Sequence, residues 1–197
     1  MTEIEKKSAE IDLSKNHIDL PAFQWASKAV SEDPLRPVLA HIVVEGDKCI
    51  ATDGRRLHIA KPEVEWTEGQ YKIIKNIKTE FFAKRIDTTE KFPNWKMVIP
   101  EWNEKKAVEI HTESQSIHTK NAAMRKNNIG IETFAFTIKL YKLSEGMFNL
   151  HYLTNAISLD QSWWAFQKEK LGPVRIQNCK ETEGWTRMAV VMPYRES

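Results

Sequence analysis

The stretch "KCIATDGRRLHIAKP", residues 48–62, decides the fold of this chain. Apolar residues lead into it and out of it, and a polar interruption, residues 52–56, lies between them. Two β-rich runs around an Asp-Gly pair predict antiparallel strands joined by a tight turn. The turn also carries two adjacent arginines, Arg55 and Arg56, which are unusual in a simple connection and suggest a binding role.

The composition is that of a globular protein with balanced charge. The chain has 197 residues, which suffices for one large domain or two small ones, and its net charge is only +2. The two cysteines, Cys49 and Cys179, form no metal-ligand pattern and are predicted to be buried free thiols, with a disulfide as the alternative. The charged N-terminus lacks the apolar region of a signal peptide, and no apolar run reaches the roughly 20 residues of a membrane span. We therefore expect a soluble, cytoplasmic protein that makes no contact with membranes.

The hydrophobic pattern predicts an α+β fold with antiparallel sheets and two main helices. Helices are predicted at 20–33 and 148–172, because apolar residues recur there at helical spacing. The stretch 79–86 fits either a short helix or an edge strand, and 91–102 is predicted to be an ordered extended segment. Strands or hairpins are predicted at 9–13, 38–54, 69–77, 108–119, 127–143, 173–179 and 185–197.

Signals for catalysis or metal binding are weak. Four histidines are the candidate ligands, and without metal-binding spacing they are predicted to be solvated strand residues: His41, His58, His111 and His118. Asp53 beside Gly54 is predicted to bond to its own backbone as an Asx-turn residue. A small hydrolase or transferase that uses Asp53 with His58 or His41 is the competing interpretation. We predict no enzyme activity, no metal and no cofactor.

Three stretches share one character: "ATDGRRL" (51–57), "KFPNWKMVIP" (91–100) and "MAVVMPYRES" (188–197). Each combines a Pro or Gly with apolar residues at the end of a strand. In this order they resemble the ATDGHRLA-, FPDYRRVLP- and YVVMPMRL-like segments of the bacterial sliding clamp, the beta subunit of the replicative DNA polymerase. The stretch "IDLPAFQWASKAV" (18–30) also resembles the helix of the clamp that begins with Leu-Pro.

In the clamp family these three stretches form one groove that receives short linear peptides of polymerases and other replication proteins. The resemblance therefore implies a DNA-clamp-like fold and a peptide-binding groove, with Gly54 allowing a special backbone conformation, Leu57 on the groove floor and the arginines at the rim. The implied lining residues are Thr52, Gly54, Arg55, Arg56, Leu57, Pro93, Met97, Val98, Val190, Met192, Pro193, Tyr194 and Arg195.

The chain resembles an abbreviated clamp, with one clamp-like module at 9–102 and a second at 103–197. The resemblance implies a processivity factor that binds DNA polymerase or other replication proteins through short peptides and forms a homo-oligomeric ring around duplex DNA. The expected location is the cytoplasm of a bacterial cell, with the bacterium or a phage as the source of the gene. The alternative is a monomeric decoy or regulator that binds the same peptides without encircling DNA. Residues that could meet DNA phosphates are Lys72, Lys75, Lys78, Lys84 and Arg85.

Overall fold

A computed structural model describes residues 10–110, 148–157, 162–169 and 171–193. The chain divides into two compact units, Met1–Trp95 (unit 1) and Lys96–Ser197 (unit 2). The described parts contain ten β-strands and two α-helices, and the strand pairs within each unit are antiparallel. The predicted α+β class with antiparallel sheets and two helices is therefore confirmed. The predicted module boundary after residue 102 stays a prediction.

Unit 1 is built on six strands in the spatial order β1-β6-β5-β2-β3-β4. The predicted hairpin around Gly46 and Asp47 is confirmed by the pairing of Val44 with Cys49, and the stretch 79–86 forms a strand. The strands are β1 (Glu10–Ser14), β2 (Ile42–Glu45), β3 (Lys48–Thr52), β4 (Arg56–Ala60), β5 (Gly69–Ile77) and β6 (Glu80–Ile86).

Helix α1 (Leu20–Ser27) packs on β3, β4 and β6 of unit 1. Pro21 lies in its first turn, where a missing N–H costs nothing. The helix is shorter than the predicted range 20–33. After Ser27 the backbone N–H groups of residues 28–30 donate to carbonyls three residues back, which tightens the turn and ends the α-helix ahead of Pro34.

Helix α1 is joined to β4 by His58. The His58 Nδ1 atom lies 3.0 Å from the carbonyl oxygen of Trp25, and the two rings stack with their centroids 4.4 Å apart. The carbonyl can only accept a hydrogen bond, so Nδ1 carries the proton. The prediction that His58 is solvated is wrong, because its side chain is fully buried, and this burial lowers its pKa to about 3.

A second buried connection runs from the start of helix α1 to the loop that follows β4. The Asp19 side chain is only 1% exposed and accepts three hydrogen bonds. The donors are the backbone N–H groups of Glu63 at 2.6 Å and Val64 at 3.3 Å and the indole Nε1–H of Trp66 at 2.9 Å. A buried carboxylate with three donors fixes this loop against the helix.

Unit 2 contains helix α2 (Leu150–Ala156) and four strands in the order β10-β9-β8-β7. Asn149 caps the helix, because its side-chain oxygen accepts a hydrogen bond from the N–H of His151 at 2.9 Å. The strands are β7 (Val108–Glu109), β8 (Trp164–Gln167), β9 (Val174–Gln177) and β10 (Arg187–Val191).

The predicted helix over 148–172 is wrong in its second half. The chain turns extended at Ile157, and Trp164–Gln167 is strand β8, which pairs with β9 through Ala165 and Ile176. Trp163, Ala165 and Phe166 are buried, and this aromatic run suits a strand buried on both faces. The predicted 127–143 strand, His111, His118 and most of the 108–119 hairpin lie outside the described residues.

Arg175 on β9 anchors the segment that opens unit 2. Its guanidinium lies 5.1 Å from the centroid of the Trp102 ring and donates hydrogen bonds to the Gln177 Oε1 atom at 3.0 Å and the Pro100 carbonyl at 3.3 Å. Burial lowers the pKa of Arg175 to about 10. The guanidinium thus stays charged near neutral pH while it ties residues 100–102 to the sheet of unit 2.

Replacing Asp19 is expected to destabilise the protein strongly. Asp19→Ala leaves three buried donors without their acceptor and should lower the free energy of unfolding by about 3 kcal/mol. Asp12→Ala, at an exposed position of β1, is the control and should change it by less than about 0.5 kcal/mol. Urea unfolding measures both, and equal losses in the two variants would contradict this role of Asp19.

His58 is expected to make stability depend on pH. The pKa of His58 is lower in the folded protein than in the unfolded chain, where it is near 6.5. The contribution of neutral His58 to the free energy of unfolding is therefore complete above about pH 6.5 and is lost as the pH falls toward 3. Between about pH 7 and about pH 5 the loss should be about 2 kcal/mol.

Urea unfolding at the two pH values should show this loss in the parent protein. His58→Phe keeps a ring for stacking on Trp25 but cannot take up a proton. The part of the pH dependence of the unfolding free energy that comes from His58 should therefore vanish in this variant. Lys15→Gln, at an exposed lysine next to β1, is the control and should keep the pH dependence. An unchanged pH dependence in His58→Phe would assign the effect to other groups.

Candidate peptide-binding site

The turn between β3 and β4 is built by the side chain of Asp53. Its Oδ1 atom accepts hydrogen bonds from the backbone N–H groups of Arg55 at 2.9 Å and Arg56 at 3.0 Å. Thr52 adds a second brace, since its hydroxyl donates to the Arg56 carbonyl at 2.6 Å and accepts from the Gly54 N–H at 3.1 Å. The predicted Asx-turn role of Asp53 is confirmed, and its carboxylate is fully engaged in holding the turn.

The two adjacent arginines of the turn have different surroundings. Arg56 is buried, and its Nε–H donates to the Asp53 Oδ2 atom at 3.0 Å, so the two residues form an ion pair that is largely shielded from water. Arg55 is exposed, and its side chain is available to a partner. Arg56 therefore supports the turn, whereas Arg55 lies at its surface.

Gly54 lies in the left-handed region with φ of +85°, which favours glycine. A Cβ atom here would lie 2.9 Å from the Arg36 Nη1 atom and 3.8 Å from the Leu39 Cδ1 atom. The turn thus packs beside a short 3₁₀ helix, Pro37–Leu39, which the sequence reading missed. Leu35, just before it, is 88% exposed, and the only sequence signal for this segment was the pair of prolines around Leu35 and Arg36.

The second predicted stretch contains the most exposed apolar side chains of the candidate site. Met97 is 81% exposed and Val98 is 43% exposed, and Pro93 is also exposed. The prediction of an extended segment is wrong here, because Trp95–Val98 forms a 3₁₀ helix. Trp95 is buried in unit 1, where its indole N–H donates to the Glu45 Oε2 atom at 2.9 Å.

The third predicted stretch continues from strand β10 of unit 2. Val190 is buried within the strand, and Met192 and Pro193, directly after it, are partly exposed. Tyr194 and Arg195 lie outside the described residues. Met192 and Pro193 thus place partly exposed apolar surface at the end of a paired strand.

Burial separates the predicted lining residues into two groups. Thr52, Arg56, Leu57 and Val190 are buried, with Leu57 at 2% exposure. The other described members retain surface that a ligand can contact: Gly54, Arg55, Pro93, Met97, Val98, Met192 and Pro193.

The basic residues predicted to meet DNA do not share one face of the β5–β6 hairpin. Lys72 pairs with Lys84, and a β-bulge between Ile73 and Lys75 brings Lys75 to the same face, while Arg85 pairs with Tyr71 and points to the other face. Lys78 lies in the turn between the strands.

Two of these lysines are paired with acidic residues. The Lys75 ammonium lies 2.5 Å from a Glu80 oxygen, and the Lys84 ammonium lies 3.3 Å from a Glu10 oxygen. Paired carboxylates reduce the positive potential that a phosphate backbone would meet. The hairpin therefore presents a mixed rather than a strongly basic surface.

Side-chain clusters for metal chemistry are missing from the described parts of the chain, where no group of three or more His, Cys, Asp or Glu could hold an ion. Both cysteines are free thiols, as predicted, but only Cys49 is buried and Cys179 is partly exposed. Burial raises the pKa of the Cys49 thiol well above its ordinary value. Among the helices that the structure describes, none is long and apolar enough to cross a membrane.

Asp53→Ala is expected to lower the free energy of unfolding by about 3 kcal/mol, because it removes the oxygen that accepts hydrogen bonds from two backbone N–H groups and the oxygen that faces the buried Arg56. Asp47→Ala is a matched control in the β2–β3 turn, where an exposed aspartate pairs with Lys48. This exposed pair should contribute less than about 1 kcal/mol. Thermal or urea unfolding compares them, and equal losses would argue against a special role for the buried pair.

No model of a known protein family and no curated protein matches the sequence. Solved structures do match. The DNA polymerase III subunit beta of Borrelia burgdorferi aligns over 100% of this chain and 66% of its own length, with a TM-score of 0.61 and 13% identity. The DNA polymerase sliding clamp of Bacillus subtilis aligns over 98% of this chain and 66% of its own, with a TM-score of 0.58 and 13% identity.

A DNA polymerase sliding clamp of Pseudomonas aeruginosa also aligns with this chain. The alignment covers 96% of this chain and 68% of the clamp, with a TM-score of 0.58 and 15% identity. The chain thus spans about two thirds of the length of the clamps that it matches. At these identities the likeness concerns the fold. This chain has the fold of the bacterial DNA polymerase sliding clamps, in an abbreviated form.

Proposed function

We propose that this chain is a sliding-clamp-like processivity factor without enzyme activity, which binds short peptides of DNA polymerase or other replication proteins in an apolar groove. The observation that carries the proposal is the exposure of Met97 and Val98, at 81% and 43%, on a chain with the clamp fold. Large apolar side chains with this much surface in water are commonly partner-binding residues when they lie together.

In this proposal the two groups of lining residues act differently. The exposed residues Met97, Val98, Met192 and Pro193 contact the peptide, and Arg55 pairs with its carboxylates. The buried residues, such as Leu57 and Val190, do not contact the peptide and stabilise the strands to which they belong. Methionines suit such a surface, because their flexible side chains adapt to several different peptides.

The expected affinity follows from the number of anchors. Each fully buried apolar side chain contributes about 1.5–3 kcal/mol, and a flexible peptide loses much of this gain when it becomes ordered. Two or three anchors therefore correspond to a dissociation constant on the order of micromolar. Such an affinity suits a partner that must bind and leave repeatedly.

The proposal includes a homo-oligomeric ring around duplex DNA, with Lys72, Lys75, Lys78, Lys84 and Arg85 as candidate phosphate contacts. The alternative is a monomeric decoy or regulator that binds the same peptides. The pairing of Lys75 with Glu80 and of Lys84 with Glu10 favours this alternative, because it weakens attraction to DNA. Light scattering decides between them: an oligomer with salt-sensitive retention on closed circular DNA supports the ring, and a monomer supports the decoy.

A fluorescently labelled clamp-binding peptide provides the direct test of the groove. Fluorescence polarisation should show saturable binding, and Met97→Glu should weaken it at least about tenfold, since a buried charge replaces an apolar anchor. Leu171→Glu is the control, because Leu171 is an apolar side chain of unit 2 with 61% exposure that lies outside the proposed groove. It should leave the affinity unchanged.

Absence of saturable binding up to several hundred micromolar peptide would overturn the proposed function. Equal weakening by Met97→Glu and Leu171→Glu would show that the peptide adheres to apolar surface in general. Circular dichroism of each variant establishes that the fold is retained, so that a loss of binding is assigned to the surface that was changed.

A further inference from the structure

Unit 1 contains a cleft of about 420 Å³ that is separate from the proposed groove residues. It lies where β5 begins and β6 ends, and it is lined by Gly69, Gln70 and residues 85–89. Small-molecule sites in proteins commonly have volumes of roughly 300–1,000 Å³. The cleft therefore has room for a metabolite-sized ligand.

The side chain of Arg85 lies in space that is open because Gly69 has no side chain. A Cβ atom on Gly69 would lie 2.8 Å from the Arg85 Nε atom, so only glycine leaves the arginine its present space. Within the described ranges, no carboxylate forms an ion pair with the Arg85 guanidinium. A planar guanidinium with free N–H groups matches a carboxylate ligand in a two-pronged arrangement.

The same cleft also holds an acceptor for a ligand's N–H or O–H group. Gln70 forms part of the wall, and its side-chain Nε2 donates to the Glu90 carbonyl at 2.8 Å. Asp87 lines the cleft as well, and its exposed carboxylate forms no ion pair with a described residue.

Because the cleft contains a guanidinium and a carboxylate, it favours a ligand that carries both an anionic group and a hydrogen-bond donor. A doubly charged phosphate would gain from Arg85 but would be repelled by Asp87. We propose that this cleft binds a small organic molecule with a carboxylate for Arg85 and an ammonium or hydroxyl group for Asp87, the chemistry of a free amino acid. None of the residues that line the cleft belongs to the lining residues of the proposed peptide groove.

Titration of the full chain with L-glutamate, succinate and inorganic phosphate, followed by the amide NMR signals, tests the site. Glutamate should bind saturably and shift the signals of Gly69, Gln70 and residues 86–89. Succinate, which has the carboxylates but no ammonium, and phosphate should each bind at least about fivefold more weakly. Arg85→Gln should weaken glutamate binding at least about tenfold, while Lys15→Gln, at an exposed lysine next to β1, should leave it unchanged.

The Asp87→Asn variant shows whether Asp87 contacts the ligand or only maintains the local structure of the cleft. It should reduce glutamate binding but leave succinate binding unchanged or stronger, a difference that loss of local structure would not produce. Gly69→Ala provides a second variant, in which the added methyl group displaces the Arg85 side chain and should weaken glutamate binding. Phosphate binding as tight as that of glutamate, shifts spread over the surface lysines, or unchanged binding in Arg85→Gln would each overturn the proposal.

Discussion

Helix α1 is held on the sheet of unit 1 by a buried side chain, His58, and the position of the candidate site in this unit follows from it. The ring of His58 stacks on Trp25, and its Nδ1–H donates to the Trp25 carbonyl. His58 belongs to strand β4, which begins directly after the turn of residues 52–56. The strand that receives the helix is therefore also the strand that follows the turn.

In the turn of residues 52–56, some charged side chains hold the backbone and another is exposed to a ligand. Asp53 holds two backbone N–H groups and the buried Arg56, so neither charged side chain has a strong interaction left for a ligand. Arg55, one residue earlier, is exposed. The same division applies to the apolar residues, since Leu57 is buried and Met97 is largely exposed. Binding at such a site depends on a few exposed residues, and the buried ones maintain its shape.

Local sequence patterns were sufficient to predict the turns and strands whose conformation is decided by neighbouring residues. The Asx turn at Asp53, the hairpin at Gly46 and Asp47 and the strand at 69–77 were predicted, because turn residues and alternation act over a few positions. The helix at 148–172 was predicted wrongly beyond Ala156. Its aromatic run around Trp164 fits a helix or a buried strand by spacing alone, and the pairing with β9 decides for the strand.

The candidate site was predictable only as a set of segments. Residues 51–57, 91–100 and 188–197 were selected from their sequence, but burial within each unit determines which of their side chains can touch a ligand. Arg85 is the clearest case. The sequence places it among the lysines of a basic cluster, whereas the strand register turns it to the opposite face, toward Tyr71 and the cleft beside Gly69.

By itself, the sequence determined the class of the fold, the main turns and the resemblance to sliding clamps, because these depend on residues close together in the chain. Only the tertiary structure decided that His58 and Arg56 are buried and that Arg85 leaves the lysine face. The physical reason is that burial and ionic pairing are set by residues distant in sequence or by strand register, and a one-residue change of register moves a side chain to the other face of a sheet.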